Sequence, residues 1–429
     1  MGLLLKVTLT PGAGLDRALE SASKGFYAVL EEAVRVGFLR IHSYPSLDSL
    51  IASSMVFVKA HDLGVDAIVS ISLNPPSSVE EPTVLIGFDN VNYKANHVKS
   101  RLVAFYSGEF KSIPVHGTTY VDGPGSHSAL VYLVATGAKD HAPSYIVGAL
   151  AGAYSSRFVD RFGRFQGLDR IVLDKLKLVT RLSLEMVTTI KGYKPNVRDL
   201  CESLSVTSNP FYPGITGDYD NCVRALNSLN LTSLLGVKLS GLDQKMLENA
   251  VLAVVNVAKR TYNVDIEPEN IVGGVLVSTN PSYPVVDFRE AADTIAYAAD
   301  ATRDPARVIV TLVDVENEYP MAEARFEEYP RRLKDRLGQL KPLKLKSNIR
   351  TPIYELQIER GDPPLHIWRA LRTLGLVEQN SIIAFREEGE LRASPLQVEE
   401  VEQGGCRKLQ ELGVAKLEDG ILKLTIATQ

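Results

Sequence analysis

Two aspartates and a histidine stand where an α/β chain would place ligands. His42 and Asp48 follow the apolar run 36–41 and lie on the turn into the helix-like stretch 48–63. Asp89 ends a second apolar run, 83–88. A carboxylate at a strand end is a frequent ligand position, and Asp with His suits a divalent ion such as Mn²⁺ or Mg²⁺. Ser46 shares the turn with His42 and Asp48. Its hydroxyl is uncharged and a poor ligand for either ion. The plainer alternative makes His42 a strand-end residue, Asp48 a helix N-cap and Asp89 a turn cap. His97, His116 and His127 are too irregularly spaced for a replacement metal cluster. Ser126 and His127 are no nucleophile–base pair, because adjacent residues diverge on a helix.

The elements around these residues alternate. Apolar, β-rich runs at 36–41, 67–73, 83–88 and 101–105 predict buried parallel strands. Helical periodicity covers 15–36 and 48–63, with further helices expected at 127–137 and 142–154. The fold class expected is therefore α/β, a doubly wound parallel sheet with its ligand loops at the carboxyl ends of the strands. Long amphipathic helices are expected over 167–192. The Pro- and Gly-rich stretch 209–217 reads as a loop. Residues 218–340 read as mainly helical (219–229, 243–260, 287–301, 321–338), interrupted by one apolar strand at 308–313. A basic connector, 341–346, leads to a mixed segment with a helix at 364–374 and strands at 381–385, 390–394 and 421–426. Three domains are expected: 1–192, a mainly helical 193–345, and a smaller α/β domain over 346–429.

The 429 residues are 23% charged and 45% hydrophobic, as in an ordinary globular chain. A net charge of −4 supplies no global basic field, so any nucleic-acid contact must come from a local patch. The run Arg331-Arg332-Leu333-Lys334-Asp335-Arg336 reads as a solvated helix face, with tracking of phosphates as the alternative. Cys201, Cys222 and Cys406 are widely spaced and suggest neither a disulfide framework nor a zinc site. The start is too short for a signal peptide, and the apolar runs are too brief to span a bilayer. A reducing cytoplasm is the expected location, with no membrane contact.

In its order of motifs the chain resembles the DHH phosphoesterases, and within them the archaeal RecJ-like proteins related to the eukaryotic DHH-fold activator of the replicative helicase. In that family the first motif reads His, a few residues, Asp, one residue, Asp. Here His42 and Asp48 match, and Ser46 takes the place of the first Asp. The second motif, a strand ending in Asp, matches Asp89. At the third, Asp-His-His after a strand, this chain has Tyr106-Ser107-Gly108. The fourth motif's Asp falls on Gly152, with Asp160 nearby as an alternative register. The family's Gly-Gly-Gly-His loop is matched by Gly404-Gly405-Cys406-Arg407. The segments 120–131, 209–221, 287–299 and 387–394 are also similar to the family, so the resemblance covers nearly the whole chain.

The resemblance implies a metal site reduced to the vestiges His42, Asp48 and Asp89. Several missing ligands together would abolish the binding of two dications, since even one supporting loss reduces affinity about 10–100-fold. It implies no catalytic residues and no cofactor. It also implies a nucleic-acid-binding surface at Arg392, Ser394, Gly404, Gly405 and Arg407, where glycine amides would cradle a phosphate. The expected function is that of an inactive RecJ-like scaffold in an archaeal replicative helicase complex. Its partners would be GINS and, through GINS, the MCM helicase, with single-stranded DNA as a further contact. The alternative is an active Mn²⁺- or Mg²⁺-dependent single-strand exonuclease or phosphodiesterase, completed by other carboxylates such as Asp122 or Asp160.

Overall fold

A 22-residue helix sets the first layer of the fold. In α1 (Leu15–Val36) Ala22, Phe26, Val29, Leu30 and Ala33 recur at helical spacing and are buried, and Gly37 closes the helix in the left-handed region. The computed structural model describes residues 5–8, 14–89, 97–107, 118–137, 141–179 and 182–425. Gly108 and His116 lie outside the described residues. The chain groups into two compact units, the first comprising 1–159, 165–179 and 305–319 and the second the remainder.

The first unit is built on a six-stranded sheet. Its members in chain order are β1 (Leu5–Thr8), β2 (Phe38–Ser43), β3 (Asp66–Ile71), then, after β4 (Ser78–Val79), β5 (Thr83–Ile86), and, after β6 (His97–Val98), β7 (Leu102–Ser107) and β8 (Thr118–Gly123). The spatial order is β1-β8-β7-β5-β2-β3, and every pairing is parallel. β4 and β6 form a separate parallel pair. Parallel strands need crossovers, and α1, α2 (Leu47–Asp62) and α3 (His127–Thr136) pack on the sheet. α4 (Pro143–Ser155) and α5 (Gly167–Leu176) complete the helical layer. The parallel sheet expected from the apolar runs is present. β2, β5, β7 and β8 all end at the same edge, where α2 and α3 begin.

Three local expectations are corrected. Residues 308–313 form a helix, Arg307–Val313, packed on α2 and α4. A short β-branched run has no decisive period, and here Val308, Ile309, Thr311 and Leu312 are buried while Val310 faces out, a helical pattern. The helix expected to run on to 192 ends at Leu176, and Leu184–Ile190 is a strand paired antiparallel with Val272–Ser278, itself a strand inside the stretch read as helical. Third, Cys201 and Cys222 form a disulfide. Their 21-residue separation conceals helices Leu200–Val206 and Tyr219–Ser228, which pack together and bring the Cα atoms to 5.6 Å. Cys406 is free and buried.

The second unit contains that strand pair, a helical cluster over 200–262, the helix Phe288–Thr302 and a six-stranded mixed sheet over 343–424. Segments 193–304 and 320–429 thus share one unit, whereas 305–319 belongs to the first. Among the described residues no helix is long and apolar enough to cross a membrane.

Candidate functional site

At the carboxyl edge of the parallel sheet, sequence turns into capping before it turns into chemistry. Ser46 sits at the N-cap of α2, accepting from the Ser49 amide at 3.3 Å and sharing a 2.7 Å hydrogen bond with the Ser49 hydroxyl. It supplies helix termination where the resembled family has a carboxylate. Gly87, after β5, adopts φ +81°, and a Cβ there would lie 1.9 Å from the Ser49 hydroxyl oxygen. Only glycine lets the strand end approach α2 this closely.

Asp48, on the first turn of α2, is spent on α3. Its Oδ2 accepts from the His127 amide at 2.7 Å, and its Oδ1 from the Ser128 amide at 3.1 Å and the Ser128 hydroxyl at 2.6 Å. α3 has no acidic residue in its own first turn, so Asp48 supplies the anion that its N-terminus favours. Asp169 adds a second carboxyl, accepting from the Ser126 amide at 2.8 Å and its hydroxyl at 2.6 Å. Burial pushes the Asp169 carboxyl up to about 7 against the pull of the Ser126 hydrogen bonds.

The imidazole of His127 then bridges the two retained carboxylates. Nδ1 lies 3.0 Å from Asp48 Oδ2, and Nε2 lies 3.0 Å from Asp89 Oδ2 and 3.1 Å from its Oδ1. Asp89 also accepts from the Ser107 amide at 2.9 Å, and the Ser107 hydroxyl donates to the Gly125 carbonyl at 2.7 Å. The ring is 5% exposed. Burial works against its charge, but the attraction of Asp89 and hydrogen bonds to both carboxylates raise its pKa to about 10, so the ring is an imidazolium at neutral pH. His42 is the opposite case. Burial, then the neighbouring Arg40, lowers it to about 4, and it stays neutral.

The position of the fourth expected ligand is closed. A Cβ added to Gly152 would lie 2.0 Å from the Ser128 hydroxyl oxygen and 3.2 Å from Asp48 Oδ1, so residue 152 points into this site with no room for a side chain. Asp160, the alternative, accepts from the amides of Phe162 at 2.8 Å and Arg164 at 2.9 Å and closes a turn. Asp122 is buried at the end of β8. A two-metal hydrolytic centre needs clustered anionic oxygen with free lone pairs. Asp48 and Asp89 spend theirs on amides, a hydroxyl and a cationic ring. The residues present do not fit a pair of divalent ions.

The expected nucleic-acid surface lies in the second unit. Arg392 forms ion pairs with Glu387 (2.8 Å), Glu388 (3.6 Å) and Glu390 (3.4 Å). Ser394 is buried as the N-cap of the helix Pro395–Val401. The amides of Gly404 and Cys406 donate to the Glu399 carboxylate at 2.7 and 2.9 Å, so the turn already holds an anion. Gly405 is buried, and Arg407 is half-buried. Three cations of the run 331–336 are also engaged: Arg332 with the Gly361 carbonyl, Lys334 with Asp218, and Arg336 with Glu359 and Asp362. Sequence reasoning missed His127, Ser128 and Glu399 as site residues. The available signal was the position of His127 and Ser128 at a helix start after the strand β8.

No family model and no curated protein matches the sequence. Among solved structures, CDC45 from Entamoeba histolytica is similar with a TM-score of 0.54 at 9% identity, over 98% of this chain and 96% of that one. RecJ from Thermus thermophilus in complex with Mn²⁺ gives a TM-score of 0.39 at 13% identity, over 98% of this chain and 53% of that one. An exonuclease RecJ bound to manganese gives 0.34 at 13% identity, over 95% and 90%. The last two likenesses are too loose to define a fold. The first shows a CDC45-like α/β fold over 98% of the chain.

Proposed function

We propose that this chain is a non-hydrolytic, CDC45-like scaffold of a replicative helicase complex, binding GINS and through it the MCM ring. The observation that carries the proposal is the clamp of Asp48 and Asp89 on His127: the carboxylates a hydrolase would turn toward metal ions hold a side-chain cation instead. End-to-end likeness to CDC45 supports the choice of scaffold over an unrelated degenerate enzyme. A net charge of −4 suits protein partners better than bulk DNA. A stable assembly of this kind would bury well over about 1,000 Å².

A single-strand contact through Arg392, Ser394, Gly404, Gly405 and Arg407 belongs to the proposal as a secondary feature. It would require the surrounding glutamates, Glu399 first, to release those groups. Two assays test the reading. Affinity-tagged full chain should capture purified GINS at moderate salt, and should leave 5′-labelled single strands intact in Mn²⁺. Failure to retain GINS removes the partner assignment. Digestion of the strand that is lost in Asp48→Ala and Asp89→Ala variants replaces the scaffold with a nuclease.

A further inference from the structure

Gly273 and Gly274 lie inside the strand Val272–Ser278, where glycine weakens a sheet and marks the close approach of another backbone. The backbone they admit is the turn 160–164, which belongs to the same unit. The Gly274 amide donates to the Phe162 carbonyl at 2.7 Å. A Cβ on Gly273 would lie 3.0 Å from the Arg161 carbonyl oxygen, and one on Gly274 3.1 Å from that of Phe162. Gly163 takes φ +80°, and a Cβ there would lie 2.1 Å from the Gly274 carbonyl oxygen. Within the turn, the Asp160 carbonyl accepts from the Gly163 amide at 2.9 Å, and its carboxylate holds the amides of Phe162 and Arg164. The turn is therefore fixed from inside and seated on the strand.

Its side chains are cationic and aromatic. Phe162 is 40% exposed, with the guanidinium of Arg161 4.8 Å and that of Arg164 5.4 Å from its ring centroid. Lys191 passes beside Gly273, its Cε 2.8 Å from where a Cβ would stand, and its Nζ donates to the Asn270 carbonyl at 3.0 Å. Among the described residues none of Arg161, Arg164 and Lys191 forms an ion pair. Arg392 is the opposite case, faced by three glutamates. Burial, then the positive charges of Arg289 and Arg161, lowers the Lys191 pKa to about 8 against the weaker pull of Asp160. An arriving anion would relieve that repulsion.

We propose that the turn 160–164 and Lys191 form a contact for single-stranded nucleic acid, separate from the one at Arg392: Arg161, Arg164 and Lys191 hold phosphates, and an unpaired base stacks on Phe162 and its guanidinium neighbours. A free base offers the flat face that an exposed ring and guanidinium planes accept, whereas a duplex keeps its bases covered. An acidic peptide would use the cations and leave the ring idle. The net charge of −4 does not oppose the contact, because charges further off than a Debye length of about 8–10 Å are largely screened.

The test is fluorescence anisotropy of the full chain with a labelled oligothymidine over a salt series. Wild type should bind at low salt, and more tightly than it binds a duplex of the same length. Phe162→Ala should weaken binding by about 5-fold or more with the salt slope unchanged. Phe162→Leu keeps the apolar bulk and should bind as poorly as the alanine variant. Replacing Arg161 and Arg164 together by Gln should flatten the slope by about 1.4, as loss of two phosphate contacts requires. All variants should melt with wild type, since the altered side chains are exposed. No binding by wild type, or binding that none of these variants weakens, overturns the proposal. So does a polyglutamate peptide that competes fully while Phe162→Ala binds the oligonucleotide as wild type does, which would make the patch a surface for acidic peptides. GINS capture uses none of these readouts, so its failure and the failure of this contact are told apart.

Discussion

Two places in this molecule hold an ion's position with a side chain of the chain itself, and they do so at different depths. At the carboxyl edge of the parallel sheet, His127 reaches carboxylates 79 and 38 residues away, and its ring is 5% exposed. At the Gly404 turn, Glu399 reaches amides only 5 and 7 residues away. The first is a tertiary clamp: opening it means separating α2, α3 and the segment after β5. The second is a local cap that a change of one side chain can release. An ion from solution therefore competes on very different terms at the two sites. Divalent cations face a buried, fully bonded network, whereas a phosphate faces one carboxylate on a short turn.

The largest effect that would sharpen this contrast is at Gly152. Gly152→Asp restores the carboxylate of the resembled enzymes but drives it against Ser128 and beside Asp48. A loss of about 3 kcal/mol or more in urea unfolding is expected from the clash and the added buried charge, with no gain of Mn²⁺-dependent strand cleavage. A variant as stable as wild type would mean that position 152 does not face the clamp.

His366 provides a control for His127, a second buried imidazole but with no carboxylate hydrogen-bonded to it. It lies among Tyr297, Phe326 and Tyr329, and among the described residues neither of its nitrogens has a hydrogen-bond partner. Burial, then the nearby Arg369, lowers its pKa well below 6.5, so it stays neutral when folded. The unfolded chain takes up this proton first, so the stability it contributes is present above 6.5 and is lost as pH falls below it. The expected slope is about 1.4 kcal/mol per pH unit. His366→Phe should remove that part of the acid sensitivity in urea unfolding at a series of pH values. An unchanged pH profile would show that the aromatic surroundings do not hold the ring neutral.

The smallest effect concerns the turn. Glu399→Ala frees two amides and should cost within about 1 kcal/mol, yet raise affinity for a fluorescent single-stranded oligonucleotide several-fold in a salt-sensitive manner. Wild type that already binds the oligonucleotide, with no change in the variant, would break the parallel between the two sites.

Much of the first unit was legible in the sequence because periodicity reports directly on burial. α1 runs over the predicted residues 15–36, and the apolar runs at 36–41, 83–88 and 101–105 became β2, β5 and β7. Leu184–Ile190 and Arg307–Val313 were misread because seven residues hold too few repeats to separate a period of 2 from one of 3.6. Asp48 and Asp89 stood out by their places at a helix start and a strand end. His127 did not, since its meaning lies in two partners brought to it only by the closure of the sheet. Glu399 and the Cys201–Cys222 pair were hidden for the same reason.

The measurement that bears most directly on the clamp is a count of Mn²⁺ bound to the wild-type chain by electron paramagnetic resonance at neutral pH. With His127 in place, no ion is expected at Asp48 and Asp89, and the signal should be indistinguishable from that of an Asp48→Ala, Asp89→Ala variant. Two tightly held ions per chain, absent from that variant, would contradict the clamp.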